Sequence, residues 1–239
     1  MLRRSDRSAQ PGEAGTNCSD RLLTAVDELL RGAGRCAADS ASVPMRRLLL
    51  VLTITGALFG AAMGSFAGRA EQSFHSALKV PLLLTTSTAI ALPSFYAVNS
   101  ALGLRDDFAA AWRGILAAQA TLAVALLALA PLLLLAYASS DDYPSAVQAS
   151  GICFLLATLA GQVTLSRHYA RLVAKDRRHR HARRVWALVY AFVAIQSAWV
   201  MRPFVGAPTL KPAFFREHAW SNAYVVLVRD VLELGEKKR

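Results

Sequence analysis

The chain has 239 residues, of which 54% are hydrophobic and 18% charged, and its mean hydropathy is +0.34. A soluble domain usually carries about 25% charged residues, so the composition favours a membrane protein over a soluble helical one. In a membrane protein, a net charge of +11 is chiefly a signal of topology. Nucleic acid is therefore not an expected partner.

Five long stretches without a charged side chain follow one another along the chain. A membrane-crossing helix needs about 20 apolar residues and at least about 17, which the first four stretches exceed and the fifth just reaches. Their leucine- and alanine-rich sequences lack the alternation of a transmembrane β-strand. The predicted fold is all-α, a polytopic transmembrane helix bundle with short amphipathic flanking helices. The predicted spans are about 48–68, 80–104, 114–138, 144–166 and 185–201.

The chain divides into an N-terminal arm (1–44) with a short amphipathic helix, the transmembrane bundle (45–201) and a C-terminal tail (202–239) with an amphipathic helix. In the arm, Ser19 is a suitable cap for a helix that Gly32 would end. The tail helix is expected after Ser221.

Lys and Arg are distributed unevenly among the segments between the spans. Residues 1–47 and 167–184 hold eight each, whereas the segment at Asp141-Asp142 holds none. Because cytoplasmic loops are rich in Lys and Arg, the N-terminus is predicted to be cytoplasmic. With five spans the tail after Met201 is periplasmic, and with four it is cytoplasmic.

The fifth span is the shortest, and its assignment rests on its ends. Trp186 and Tyr190 lie near one end and Trp199 near the other, where aromatic residues mark the membrane–water interfaces. Flanking arginines can reach the headgroups and so extend the short stretch.

Glycine recurs at every fourth position of the first span. This spacing places the glycines on one helical face, where another helix can approach closely. The partner helix belongs either to the same bundle or to a second copy of the chain. The predicted helix-packing residues are Gly56, Gly60, Gly64 and Gly68.

The second span is rich in polar residues and contains two prolines. Pro81 is expected in its first turn, where a missing N–H costs little, and Pro93 lies deep enough to bend the helix. The polar side chains either line a pathway or form hydrogen bonds that hold a bent helix in place. They are Thr85, Thr88, Ser94, Tyr96 and Asn99.

The segment 167–184 combines eight cations with three histidines. Its simplest role is to keep this segment in the cytoplasm, and contact with anionic lipid headgroups is a second role. The predicted lipid contacts are Arg167, Arg171, Lys175, Arg177, Arg178, Arg180, Arg183 and Arg184.

No catalytic residue, cofactor site or metal site is expected. The flanking arginines of His179-Arg180-His181 repel a cation, and Cys18, Cys36 and Cys153 lack disulfide or metal-ligand spacing. There is no zinc-protease motif, nucleophile elbow or phosphate-binding glycine loop.

Two stretches are similar to a family of bacterial polytopic inner-membrane proteins of unknown function. The first runs from Ser76-Ala77-Leu78-Lys79-Val80-Pro81 to Leu92-Pro93-Ser94-Phe95-Tyr96 and Asn99. The second is Trp199-Val200-Met201-Arg202-Pro203-Phe204-Val205-Gly206-Ala207-Pro208 with Phe214-Phe215-Arg216. The resemblance implies a bacterial inner membrane and no particular activity. The five-span layout is also similar to that of Yip-type trafficking proteins.

The leading hypothesis is a non-enzymatic membrane protein that packs with or organises partners, either a second copy of itself or another membrane protein, in a bilayer with anionic headgroups. The alternative is a transporter or channel component that uses the polar face of the second span.

Overall fold

The computed structural model describes residues 44–206 and 214–215. Every regular element in these residues is a helix, which confirms the all-α prediction for this part of the chain. The amphipathic helices predicted in the arm and the tail lie outside the described residues. The long helices are α1 (Met45–Gly64), α2 (Ala70–Ala101), α3 (Phe108–Ser139), α4 (Tyr143–Lys175) and α5 (Arg178–Val200), with short 3-10 helices at Ser65–Ala67 and Arg105–Asp107.

Four of the described helices are long and apolar enough to cross a membrane: α1, α2, α4, and α3 taken with the 3-10 turn before it. The chain is therefore a multi-pass membrane protein. α5 falls short of the same criterion, because its first two turns hold Arg178, Arg180, Arg183 and Arg184. Its remaining residues, 185–200, carry no charge.

The helices extend beyond the uncharged stretches of the sequence. α2 begins at Ala70, so Pro81 lies in its interior and not in its first turn as expected. Most of the segment 167–184 is helical as well, since only residues 176–177 separate α4 from α5. Long basic side chains let a helix continue past the apolar core because their charged ends reach polar surroundings.

The helices are arranged as a horseshoe. α1 packs extensively on α2 and α3, α3 packs on α4, and α2 packs on α5. The order around the bundle is therefore α4, α3, α1, α2, α5. α4 and α5, although consecutive in the chain, contact each other sparsely, so the horseshoe is open between them.

Successive helices run in opposite directions, which gives the bundle two distinct ends. At the basic end, Lys175 pairs with Asp107 at 2.6 Å and Arg178 donates to the carbonyl of Leu102. At the exit end, the ring of Phe66 contacts those of Tyr137 and Tyr143. The exit segment, residues 201–206, follows α5 at this same end, where the hydroxyl of Tyr143 donates to the carbonyl of Val205.

α1 and α2 approach each other so closely that two positions have no room for a side chain. A Cβ atom added at Gly60 would lie 2.2 Å from the carbonyl oxygen of Ser76, and one at Gly64 would lie 2.6 Å from that of Gln72. Gly56 faces Pro81 at an ordinary contact distance of 3.6 Å. The glycine face of α1 is thus covered by a helix of the same bundle.

Gly68 does not belong to this contact, contrary to the sequence prediction. It lies beyond the end of α1, and a Cβ atom there would meet nothing within 4 Å. Its φ of 66° is left-handed, a conformation that glycine adopts without strain. Gly68 therefore ends the helical turn and redirects the chain into α2.

Replacing both Gly60 and Gly64 by alanine should destabilise the bundle. Each new methyl group would displace backbone atoms of α2, and overpacking typically costs about 1–3 kcal/mol per site, against a gain of about 1 kcal/mol in helix propensity. We expect a lower melting temperature in mild detergent.

The matched control is Gly151→Ala on α4, where the same methyl group would meet nothing within 4 Å. That change should leave the melting temperature unchanged or raise it. Equal melting temperatures for the Gly60/Gly64 variant and its parent would show that α1 and α2 do not pack as described.

Candidate functional site

A row of three polar side chains on α2 holds the exit segment against the bundle. Gln72, Ser76 and Lys79 follow one another at helical spacing on one face. Gln72 donates to the carbonyls of Pro203 and Phe204, at 3.3 and 3.1 Å. Ser76 donates to the carbonyl of Phe204. This row satisfies backbone groups that would otherwise be buried without a partner.

Lys79 is the most unusual member of the row, because its side chain is fully buried. Its Nζ donates to the carbonyl oxygen of Pro203 at 2.7 Å and lies 4.9 Å from the centre of the Phe214 ring. A carbonyl oxygen and an aromatic face both stabilise a buried ammonium group. The cation therefore joins α2 to the chain that follows α5.

Gly206 completes the contact between α2 and the exit segment. A Cβ atom at this position would lie 2.8 Å from Cγ of Gln72, so only glycine lets the segment lie flat on α2. Ser76 to Pro81 and Trp199 to Gly206 belong to the two stretches that carry the resemblance described from the sequence. The structure brings them together, although 124 residues separate Lys79 from Pro203.

The polar side chains predicted on the second span differ in burial and in their partners. The hydroxyls of Thr85 and Thr88 donate to carbonyls one turn earlier, at 2.8 and 2.7 Å. Asn99 is buried and donates to Phe95 in the same way, whereas Ser94 and Tyr96 are exposed. These groups are largely satisfied within their own helix.

One polar contact between helices was not predicted. The buried hydroxyl of Tyr190 on α5 donates to Oε1 of Gln119 on α3 at 3.0 Å. The sequence pattern placed Tyr190 at the membrane interface and gave Gln119 no role. A glutamine inside an uncharged span is the signal that indicates such a bond, because an amide in an apolar environment needs a partner.

The open side of the horseshoe leads into a cleft with a cavity volume of about 690 Å³. Its floor is formed by α1, α2 and α3, with Met63, Leu84 and Leu122 among the lining residues. α4 and α5 form its walls. At the rim, Leu155 and Ile195 are 60% and 49% exposed, so the cleft opens sideways, toward the surface that faces lipid.

The exit segment closes one end of the cleft. Arg202, Pro203, Phe204 and Val205 all line it there. The guanidinium of Arg202 stacks on Trp199 at 3.3 Å, and its Nε donates to the Trp199 carbonyl at 3.2 Å. The cleft therefore has a cation at one end and a largely apolar wall along its length.

The eight predicted lipid-contact residues lie around the basic end. All except Arg183 are exposed, but two also hold the bundle together: Lys175 bonds to Asp107 and Arg178 to Leu102. Asp107 also accepts a contact of 3.2 Å from Nε2 of the fully buried His179. The 3-10 turn before α3 is thus fastened to the start of α5.

Across residues 44–206 and 214–215, no group of three His, Cys, Asp or Glu side chains is placed to hold a metal ion. No protein-family model, curated protein or solved structure matches the chain. The contacts within the bundle are therefore the basis for any statement about its role.

Replacing Lys79 by methionine should loosen the exit segment. The carbonyl of Pro203 would keep only the longer bond from Gln72, and a hydrogen bond from a charged group contributes about 1.5–3 kcal/mol. A cysteine placed at the buried position Val205, in a chain without its native cysteines, should then react faster with a maleimide.

Lys175→Met is the control, because it also removes a lysine and a hydrogen bond but at a side chain that is 66% exposed. Surface ion pairs contribute little, so the reactivity at position 205 should not change. If both variants left it unchanged, Lys79 would not hold the exit segment.

Proposed function

We propose that this chain is a non-enzymatic multi-pass protein of the bacterial inner membrane that packs with or organises other membrane components. The observation that carries the proposal is the seam between α4 and α5. It stays open, whereas the other neighbouring helices of the horseshoe pack closely. An opening in the side of a membrane bundle is accessible to molecules that lie in the bilayer.

The glycine face of α1 no longer supports a homodimer, because α2 covers it. A partner protein therefore has to use another surface. α4 is the least covered of the four apolar helices, with 28% of its most apolar stretch buried, compared with 50% for α1. Its exposed side, which includes Leu156 and Leu159, is the surface proposed for a partner protein or a second copy.

We further propose that α5 crosses the membrane and that the N-terminus is cytoplasmic. The exit segment lies with the turns at 65–69 and 140–142, at the end opposite Lys175 and Asp107. A four-span protein would need this segment at the basic end. The excess of Lys and Arg around the turn at 176–177 favours the cytoplasm for the basic end.

The alternative role in transport has less support from the geometry. None of the five polar residues predicted on the second span lines the cleft. Thr85, Thr88 and Asn99 donate to carbonyls of their own helix.

The topology can be tested with three single cysteines in a chain without its native cysteines. The positions are Asp141, His181 and Phe215, all on described and accessible parts of the chain. In intact cells an impermeant maleimide should label Asp141→Cys and Phe215→Cys but not His181→Cys. Labelling at His181 together with protection at Asp141 would reverse the orientation. Labelling at Asp141 with protection at Phe215 would mean that α5 does not cross.

The organising role can be tested with a photo-crosslinking amino acid at Leu159 on α4 or at Leu58 on α1. Both residues are exposed, at 55% and 53%, but α1 lies opposite the open side of the horseshoe. In native membranes we expect a discrete protein adduct from position 159 and none from position 58. No adduct from either position, or equal adducts from both, would argue against a partner surface on α4.

A further inference from the structure

We propose that the cleft between α4 and α5 binds one acyl chain of an anionic phospholipid, with the lipid phosphate at Arg202. This inference rests on the membrane-organising role proposed above and names the ligand. Its support is the length and volume of the cleft, the chemistry of the wall and the position of the arginine that lines one end.

The cleft is long enough to hold a lipid acyl chain. Val147 and Gln162 both line it and are 15 residues apart on α4, which corresponds to about 22 Å at about 1.5 Å per residue. One leaflet contributes about 15 Å to a hydrocarbon core about 30 Å thick. The cleft is therefore longer than one leaflet is thick, and an acyl chain that enters from the side fits along it.

The cleft has the volume of a small-molecule site. Its cavity volume is about 690 Å³, within the range of about 300–1,000 Å³ that is usual for such sites. α5 contributes small residues to the wall, Ala187, Ala191, Ala194 and Ala198. These small side chains leave room for a flexible acyl chain.

The wall is apolar even where it carries hydroxyl groups. Ser150 donates to Ala146 and bonds to Tyr137, and Thr158 donates to Phe154. The Tyr190 hydroxyl donates to Gln119. With these hydroxyls already engaged in the protein, the wall presents a largely apolar surface to an acyl chain, together with the amide of Gln162.

A charged group has to select the lipid, because an acyl chain that leaves the bilayer for an apolar cleft gains no hydrophobic energy. Arg202 is the only Lys or Arg side chain that lines the cleft within the described residues, and it lies at the exit end. A guanidinium is the side chain best suited to paired hydrogen bonds with phosphate oxygens. Asp141 and Asp142 lie at the same end, but neither lines the cleft.

The test uses the purified chain in nanodiscs of phosphatidylcholine with phosphatidylglycerol as the minority lipid. A photo-crosslinking amino acid replaces Leu155 at the rim of the cleft, or Leu188 as the reference position, which is 72% exposed and does not line the cleft. The masses of the adducts identify the lipid. We expect phosphatidylglycerol to be enriched at position 155 over position 188 by about fivefold, the ratio that corresponds to about 1 kcal/mol for one basic residue.

Two kinds of variant distinguish the contribution of the lipid acyl chain from that of the lipid headgroup. Gly151→Leu with Ala194→Leu fills the cleft, and a side chain at position 151 enters open space, so this variant should fold and lose the enrichment. Arg202→Gln should also lose it, because the neutral amide has no charge to attract the phosphate. Arg202→Lys keeps the charge and should keep the enrichment.

Three outcomes would overturn the proposal. They are equal adduct ratios at positions 155 and 188, enrichment that survives filling of the cleft, and adducts at position 155 to residues 207–239 or to a second copy in place of lipid. Each is independent of the partner experiment at Leu159, which uses native membranes and a residue outside the cleft. Failure of one experiment therefore leaves the other to be judged separately.

Discussion

The close approach of α1 and α2 determines how the rest of the bundle is placed. Gly60 and Gly64 lie directly on the backbone of α2 near Gln72 and Ser76, so the two helices are fixed along their length as well as side by side. This contact orients the polar row of α2 toward the exit segment. The exit segment in turn closes one end of the cleft. A shift of α2 along α1 would therefore displace the polar row, the exit segment and the closed end of the cleft together.

Polar groups in this bundle serve two different purposes. Hydroxyls such as those of Thr85 and Thr158 return to carbonyls of their own helix and leave the outer surface apolar. Lys79, Gln72 and Tyr190 bond across the bundle and connect elements that are distant in the chain. In an apolar medium each such bond also specifies the register, because a displaced donor would find no replacement in lipid.

The sequence predicts the class of fold well, because an uncharged apolar stretch long enough to cross a bilayer is typical of a transmembrane helix. It also predicts which face of α1 packs, since only glycine spacing allows so close a contact. It does not predict that α2 is the partner of that face. Periodicity defines the faces of a helix, but the choice of neighbour depends on the fit of side chains that are remote in sequence.

The same limit explains why the candidate site could not be predicted from the sequence. Lys79 lies just outside the predicted second span (80–104), because charged residues mark the ends of spans in the sequence, and the structure buries it inside α2. The cleft was not predicted either, because it exists only where α4 and α5 fail to meet. Its lining comes from all five helices and the exit segment, and no single stretch of sequence carries its signature.

The bond between Lys79 and Pro203 has a consequence for the synthesis of the protein. The lysine emerges from the ribosome 124 residues before the carbonyl that accepts its hydrogen bond. During that interval α2 has to enter the membrane with an ammonium group whose partner has not been made, a costly state for a membrane helix. Assembly of the bundle is therefore completed from its C-terminal side, and α2 reaches its final environment only after translation of α5 has ended.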